Sequence, residues 1–382
     1  MEPSNSKPRT ANGKWQMSNG KSAIQNPQSK IRNLQSPISR PIVGFLTAYV
    51  PGELFHAAGF TPVFIFHTPD DYGQARTHVP NFTCWVAGSA FDQALAGKLD
   101  GLAGMAFAQT CDTVQGLTDL WRRHVPHIPL FHFGMPSRLD SPSSRPYLLA
   151  ELRLLRERIQ ALIGRPISDD TLQESIALYN RTRALVRRLY ARAADFAPPD
   201  LYALVQAALQ TPQETYNAHV ERLLAQPSVP PDESGRERLL RVLLVGSTLA
   251  DPILFEAIAQ AGGRVVGDLL DLGERHFAVD VAEDGEPLAA LADRLLALVP
   301  TPTKHCSQPT RATHLLSLVQ ERGAHGVLFA RQKFCEPHGF DYVQLANALD
   351  RAGVPHLLVE LEQASQAGQL RTRVEAFVEM LG

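Results

Sequence analysis

The chain has 382 residues, 44% hydrophobic and 20% charged, with a formal net charge of −2, a globular composition long enough for two cores of ordinary domain size. Residues 1–40 carry seven Lys/Arg against Glu2 alone, leaving 30 of the 37 basic and 38 of the 39 acidic residues to the rest. That acidic body argues against a nucleic-acid partner, and no run reaches the roughly 18 apolar residues of a spanning helix, so no membrane partner is expected. The four cysteines, Cys84, Cys111, Cys306 and Cys335, lie far apart with no signal-like apolar stretch before them, which points to reduced thiols in a cytoplasmic protein.

Residues 1–40, rich in Ser, Asn, Gln, Lys and Pro, cannot offset their ordering entropy by burial and are expected to be a disordered tail. The composition also suits a transit peptide or a start codon placed too early, with translation from Met17 or beyond. Order is expected from residue 41. "PIVGFLTAYV" reads as a strand, Glu53 to Ala58 as an amphipathic stretch and "TPVFIF" as another strand. "LDGLAGMAFAQT" and "VPHIPLFHF" continue the alternation around a helical "CDTVQGLTDLWRRH".

From Tyr147 the period changes. Leu148, Leu152, Leu155, Ile159 and Leu162 recur at helical spacing, as do Leu172, Ile176 and Tyr179, with Gly164-Arg165-Pro166 between the two helices and Ser168 placed to open the second. "QPSVPPDESGRERL" reads as a linker. Then "RVLLVGST", "DPILFEAIAQAGG", "RVVGDLLD", "GAHGVLFARQKFC" and "GVPHLLVEL" repeat the strand and helix alternation. The expected fold class is α/β, with two Rossmann-like parallel-sheet domains and a helical insert: an N-terminal α/β domain over 41–146, a helical segment over 147–228 and a C-terminal α/β domain over 229–382.

Cys111 and Cys335 each end an apolar run, and Cys84 precedes a helical stretch. In parallel α/β sheets, ligands collect beyond the carboxyl ends of the strands, and helix starts favour thiolates. Ordinary buried cysteines satisfy the same spacings, since no C-x-x-C pair is present and the separations match no compact zinc or ferredoxin pattern.

"YVPGELFHAAGFTPV", "FAQTCDTVQGLTDLW", "ISDDTLQESIALYNRTRALVRRLY", "KFCEPHGFDYVQLANALDRAGVPHLLVE" and "GQLRTRVEAFVEML" together resemble the 2-hydroxyacyl-CoA dehydratase and benzoyl-CoA reductase family, in its D-component type of iron-sulfur subunit, from about residue 41 to the C-terminus. The resemblance implies a [4Fe-4S] cluster held by Cys84, Cys111 and Cys335 in a cleft between α/β domains, with Cys306 incidental. It implies radical chemistry on an acyl-CoA: a dehydratase passes one electron to the thioester carbonyl, forming a ketyl radical, whereas a benzoyl-CoA reductase passes electrons into an aromatic ring. It also implies a second homologous subunit, or a second copy of the chain, and a separate ATP-dependent iron-sulfur activator. The chain carries no G-x-x-x-x-G-K-[ST] loop that would make it the activator. The alternatives are a benzoyl-CoA reductase-like subunit, a double-cubane-cluster reductase, and a non-enzymatic electron-transfer partner.

By the same resemblance Glu53 is a candidate acid or base, or else a helix-start residue. Ser247 and Thr248 are candidates for binding an anion, a thioester oxygen or the open side of the cluster, or else caps. Arg371, flanked by Gln369 and Arg373, is a candidate for a CoA phosphate or an interdomain pair. His56 is expected to be a packed or surface residue, and Arg181, Arg183, Arg187, Arg188 and Arg192 to form a solvated helix face. One departure stands out: Asp271 lies near the place where many relatives have a cysteine.

Overall fold

The computed structural model describes residues 40–68, 73–228, 240–361 and 367–382. The expected tail, and most of the expected linker, lie outside these residues. Within them, runs dominated by Val, Ile, Leu, Phe and Ala form eight short strands in two separate sheets, both parallel throughout. The first contains β1 (Ile42–Phe45), β2 (Thr61–Phe64), β3 (Gly104–Ala108) and β4 (Leu130–Phe133) in the order β2-β1-β3-β4. The second repeats it with β5 (Leu240–Gly246), β6 (Gly263–Leu270), β7 (Gly326–Gln332) and β8 (His356–Leu361) in the order β6-β5-β7-β8.

Sheets of this kind are covered on both faces, so their strands read as continuous apolar runs. The period of two still sorts the side chains: Met105 and Phe107 enter one core of the first domain while Ala106 and Ala108 enter the other. In the second sheet Leu243 and Val245 face one core, and Val242 and Leu244 face the opposite one.

The crossovers of the first domain are α1 (Gly52–Ala57), α2 (Trp85–Leu95) and α3 (Asp112–His124). The helical layer follows as α4 (Ser144–Ile163), α5 (Asp169–Ala191), α6 (Pro198–Gln210) and α7 (Gln213–Leu224), of which the sequence reading expected the first two. Leu148, Leu152, Leu155 and Ile159 are each at most 1% exposed, but Leu162 points outward at 45%, off the stripe to which its spacing assigned it. Gly164 closes α4 in the left-handed region, and the Ser168 hydroxyl caps α5 by accepting the Thr171 N–H at 3.1 Å.

The second domain adds α8 (Ile253–Gln260), α9 (Glu274–Phe277), α10 (Pro287–Ala297), α11 (Arg311–Arg322), α12 (Glu336–Ala352) and α13 (Ala367–Leu381). Leu288, Leu291 and Leu295 of α10 lie in the same core as Leu148 and Leu152 of α4, and Arg145 makes a paired contact to Asp293 at 2.6 and 3.0 Å. The helical layer therefore joins the two sheet domains through a shared core.

The arginines of α5 correct one expectation, because only part of that face is solvated. Arg183 is 3% exposed and ion-paired with the equally buried Glu53, Arg187 grips Asp280 through two bonds of 2.9 and 2.8 Å, and Arg181 holds Glu221. Their spacing reads as a charged face, but carboxylates from distant segments cover it.

Candidate functional site

Cys84, Cys111 and Cys335 are each the residue immediately before a helix, capping α2, α3 and α12. Each carbonyl accepts the first helical N–H at 3.0 Å, from Gly88, Gln115 and Gly339 respectively. Cys111 and Cys335 hold equivalent places in the two domains, each the third residue beyond the strand paired to the first strand of its sheet. All three line one inner cavity of about 100 Å³ at the carboxyl ends of both sheets. This cavity opens into a cleft of about 1070 Å³ walled by Phe82, Leu120, Tyr147, Phe334 and Phe340.

Burial is the main cause that raises all three thiols, Cys84 to about 11. Neighbouring thiols add to the rise at Cys84 and Cys335, and the Asp271 charge adds to it at Cys335. Helix-start N–H groups of Ala87, Val114 and His338 oppose the shift. The protein surroundings by themselves thus favour neutral thiols.

Ser247 and Thr248 follow β5 directly and share the inner cavity. The turn depends on Gly246, where a Cβ would lie 2.1 Å from the carbonyl oxygen of Ala330. Ser247 is 6% exposed and its hydroxyl has no hydrogen-bond partner among the described residues, whereas in the first domain the Thr47 hydroxyl accepts the Ala108 N–H at 2.8 Å.

Three participants are absent from the sequence-based candidates or entered only as a departure. Asp271 directly follows β6 and lines the inner cavity. Its Oδ2 meets His338 Nε2 at 3.1 Å, while its Oδ1 is buried and unpartnered. Burial alone would raise this carboxyl, but His338, Arg275 and Arg311 outweigh it and hold it below the usual range. Lys304, in a segment without periodic pattern, donates to the carbonyls of Gln109 at 2.9 Å and Met135 at 3.0 Å, and burial lowers it to about 8. No repeat or spacing marks Lys304 or His338; only tertiary placement brings them to the cleft.

Glu53 and Arg371 are not brought to the thiols. Glu53, in α1, is 1% exposed in its pair with Arg183 of α5 and lines neither the inner cavity nor the cleft. Arg371 is exposed on α13, whose Val374, Phe377 and Val378 pack on the second sheet. His56 is packed, bonded to Ser175 at 2.8 Å and Glu214 at 3.2 Å. Cys306 lines neither cavity and donates to the Gln308 carbonyl.

The donor chemistry suits an iron-sulfur cluster better than a lone ion. Among the described residues, no three His, Cys, Asp or Glu side chains come close enough to share one metal ion. Thiolates around a single tetrahedral ion must crowd within about 4 Å of one another, given metal–sulfur bonds near 2.3 Å. A cubane presents separate iron corners, so its thiolates converge on a volume. The inner cavity brings together three soft sulfur donors with no Lys or Arg among its lining residues, a donor set of the kind such a group takes.

Fold and site together define a two-domain α/β protein with a thiol-lined cleft where its two parallel sheets meet. The family model described as "2-hydroxyglutaryl-CoA dehydratase, D-component" matches residues 47–381, and the chain belongs to that family. It is 28% identical to the beta subunit of lactoyl-CoA dehydratase of Anaerotignum propionicum, covering 89% of this chain and 91% of the relative. It is 29% identical to a benzoyl-CoA reductase subunit of Thauera aromatica, over 87% and 88%, and 27% identical to the beta subunit of (R)-2-hydroxyglutaryl-CoA dehydratase of Acidaminococcus fermentans, over 89% and 92%. No helix among the described residues is long and apolar enough to cross a membrane.

Proposed function

We propose that the protein is the iron-sulfur subunit of a cytoplasmic 2-hydroxyacyl-CoA dehydratase-like enzyme. The observation that carries this reading is the convergence of three cysteines at helix N-cap positions, from both sheet domains, on one cavity in a chain of this family. Cys84, Cys111 and Cys335 would hold a [4Fe-4S] cluster, which supplies single-electron transfer at low potential when bound.

The chain's own residues do the rest. Helix-start N–H groups steady the sulfurs, and Lys304 fixes the loops after β3 and β4 across the cleft floor. Phe82, Phe334 and Phe340 give the mouth an apolar lining that limits water around an acyl-CoA. Ser247 and Thr248, which line the cavity, are the candidate donors to a thioester oxygen. Relatives named as single subunits of larger enzymes support a second homologous subunit as partner, and electrons would come from a separate ATP-dependent activator.

The test is anaerobic assay of the assembled enzyme with its activator and a panel of 2-hydroxyacyl-CoA and aromatic acyl-CoA thioesters. Dehydration to an enoyl-CoA with substoichiometric electrons supports the reading. Consumption of electrons in proportion to product indicates a reductase of the benzoyl-CoA type, a reading that similarity to the Thauera aromatica protein also supports. Electron transfer without conversion of any thioester indicates a carrier.

A further inference from the structure

The three thiols leave one iron of a cubane without a cysteine, and the cavity offers an oxygen donor for it. Asp271 reaches the cavity from the carboxyl end of β6, and although its side chain is 23% exposed, Oδ1 is itself buried with no hydrogen-bond partner. A buried, unsatisfied carboxylate oxygen is costly. His338 Nε2 holds Oδ2 at 3.1 Å, and Arg275, donating to the Asp271 carbonyl at 2.8 Å, fixes the backbone that carries the side chain. His338 lies in the first turn of the helix that Cys335 caps, so thiol and carboxylate are positioned from one element. Metal-bound carboxylates are themselves characteristically hydrogen-bonded through their second oxygen or a neighbour.

We infer that Asp271 is a protein ligand of the cluster, binding through its carboxylate the iron that Cys84, Cys111 and Cys335 leave free, with His338 as the positioning residue. This rests on the cluster assignment above. In this chain the fourth iron is therefore closed by protein in the resting state and opens to an external oxygen only when the carboxylate is displaced.

The experiment uses anaerobically reconstituted full-length wild type, Asp271→Ala and Asp271→Cys, analysed for iron and then by EPR and ¹⁷O ENDOR of the reduced cluster in H₂¹⁷O. The wild-type signal is expected to show no ¹⁷O coupling and Asp271→Ala to show it, because water takes the vacated position. Asp271→Cys is expected to retain iron, exclude the coupling and shift the spectrum toward an all-thiolate cluster. Water coupling in the wild type equal to that in Asp271→Ala would overturn the inference while leaving the cluster intact. If Asp271→Ala loses iron, the pair of wild type and Asp271→Cys decides alone: coupling in the wild type that the cysteine abolishes overturns the inference, and its absence from both supports it. Failure of the wild type itself to bind iron would instead overturn the underlying cluster assignment, and the inference with it.

Discussion

Side chains near the cleft are fixed by hydrogen bonds that burial makes expensive to lose. Tyr49 is fully buried, adopts φ +72° just beyond β1, and its hydroxyl accepts the Thr301 N–H at 2.9 Å and an Arg275 N–H at 3.2 Å. It thus ties the end of the first sheet to the segment that carries Lys304. Tyr49→Phe leaves both donors unsatisfied, with an expected loss of about 1–3 kcal/mol by urea denaturation; an unchanged midpoint would mean that water replaces the hydroxyl. Phe334, immediately before Cys335, is the other non-glycine residue at positive φ among those described, at 64°. Such strained residues gather where surrounding structure fixes a site; Phe334 lines the cleft, and Tyr49 follows Ala48 of the inner cavity.

At the level of elements, the turn from β6 into α9 is organised by Asp268. This 4%-exposed carboxylate receives the N–H of Leu270 at 3.2 Å and of Glu274 at 3.0 Å, and the Tyr190 hydroxyl from α5. A Cβ on Gly273 would lie 1.8 Å from its Oδ1. Gly273→Ala should therefore destabilise by about 1–3 kcal/mol, the ordinary cost of overpacking, read from the denaturation midpoint.

Glu274 next to it carries a pH signature. Burial first, then the Asp268 charge, raises its carboxyl from 4.5 to about 7 against the opposing Arg322. The folded state then binds more protons than the unfolded state between these values. The contribution is fully present below about pH 4.5 and is lost as pH rises through 7, an effect of about 3 kcal/mol. Glu274→Gln should show a smaller fall in stability than wild type between pH 5 and pH 8; identical falls would contradict this.

The elements were the more legible part of the chain. Continuous apolar runs such as "RVLLVG" and the stripe from Leu148 to Ile159 carry their period in neighbouring residues, so strands, α4 and α5 could be read directly. The helices α6 and α7 were not read, because Pro198, Pro199 and Pro212 resemble loop punctuation although each sits at a helix start, where proline fits. The three cysteines could be read from their positions at strand ends and helix starts only with the help of family resemblance. His338 and Lys304 could not, since their partners lie 67 or more residues away.

On the scale of the whole molecule, two sheets and the helical layer are held together by buried polar ties as well as by the shared apolar core. The Glu53–Arg183 pair joins α1 to α5, with both partners at most 3% exposed. Breaking a buried pair strands a charge, so Arg183→Met should cost about 3–5 kcal/mol, while adding Glu53→Leu should recover much of it. Equal losses in the single and double variants would show that packing rather than charge dominates there. Because Glu53 lines neither the inner cavity nor the cleft, such variants should keep wild-type iron content in whatever fraction folds. The three-thiol cluster site is tested most directly by iron and acid-labile sulfide per chain in anaerobically purified wild type, Cys84→Ala, Cys111→Ala, Cys335→Ala and Cys306→Ala. About four irons per chain are expected in the wild type and Cys306→Ala and a large loss in each of the other three; a wild type without iron after reconstitution, or full retention in those three variants, would contradict it.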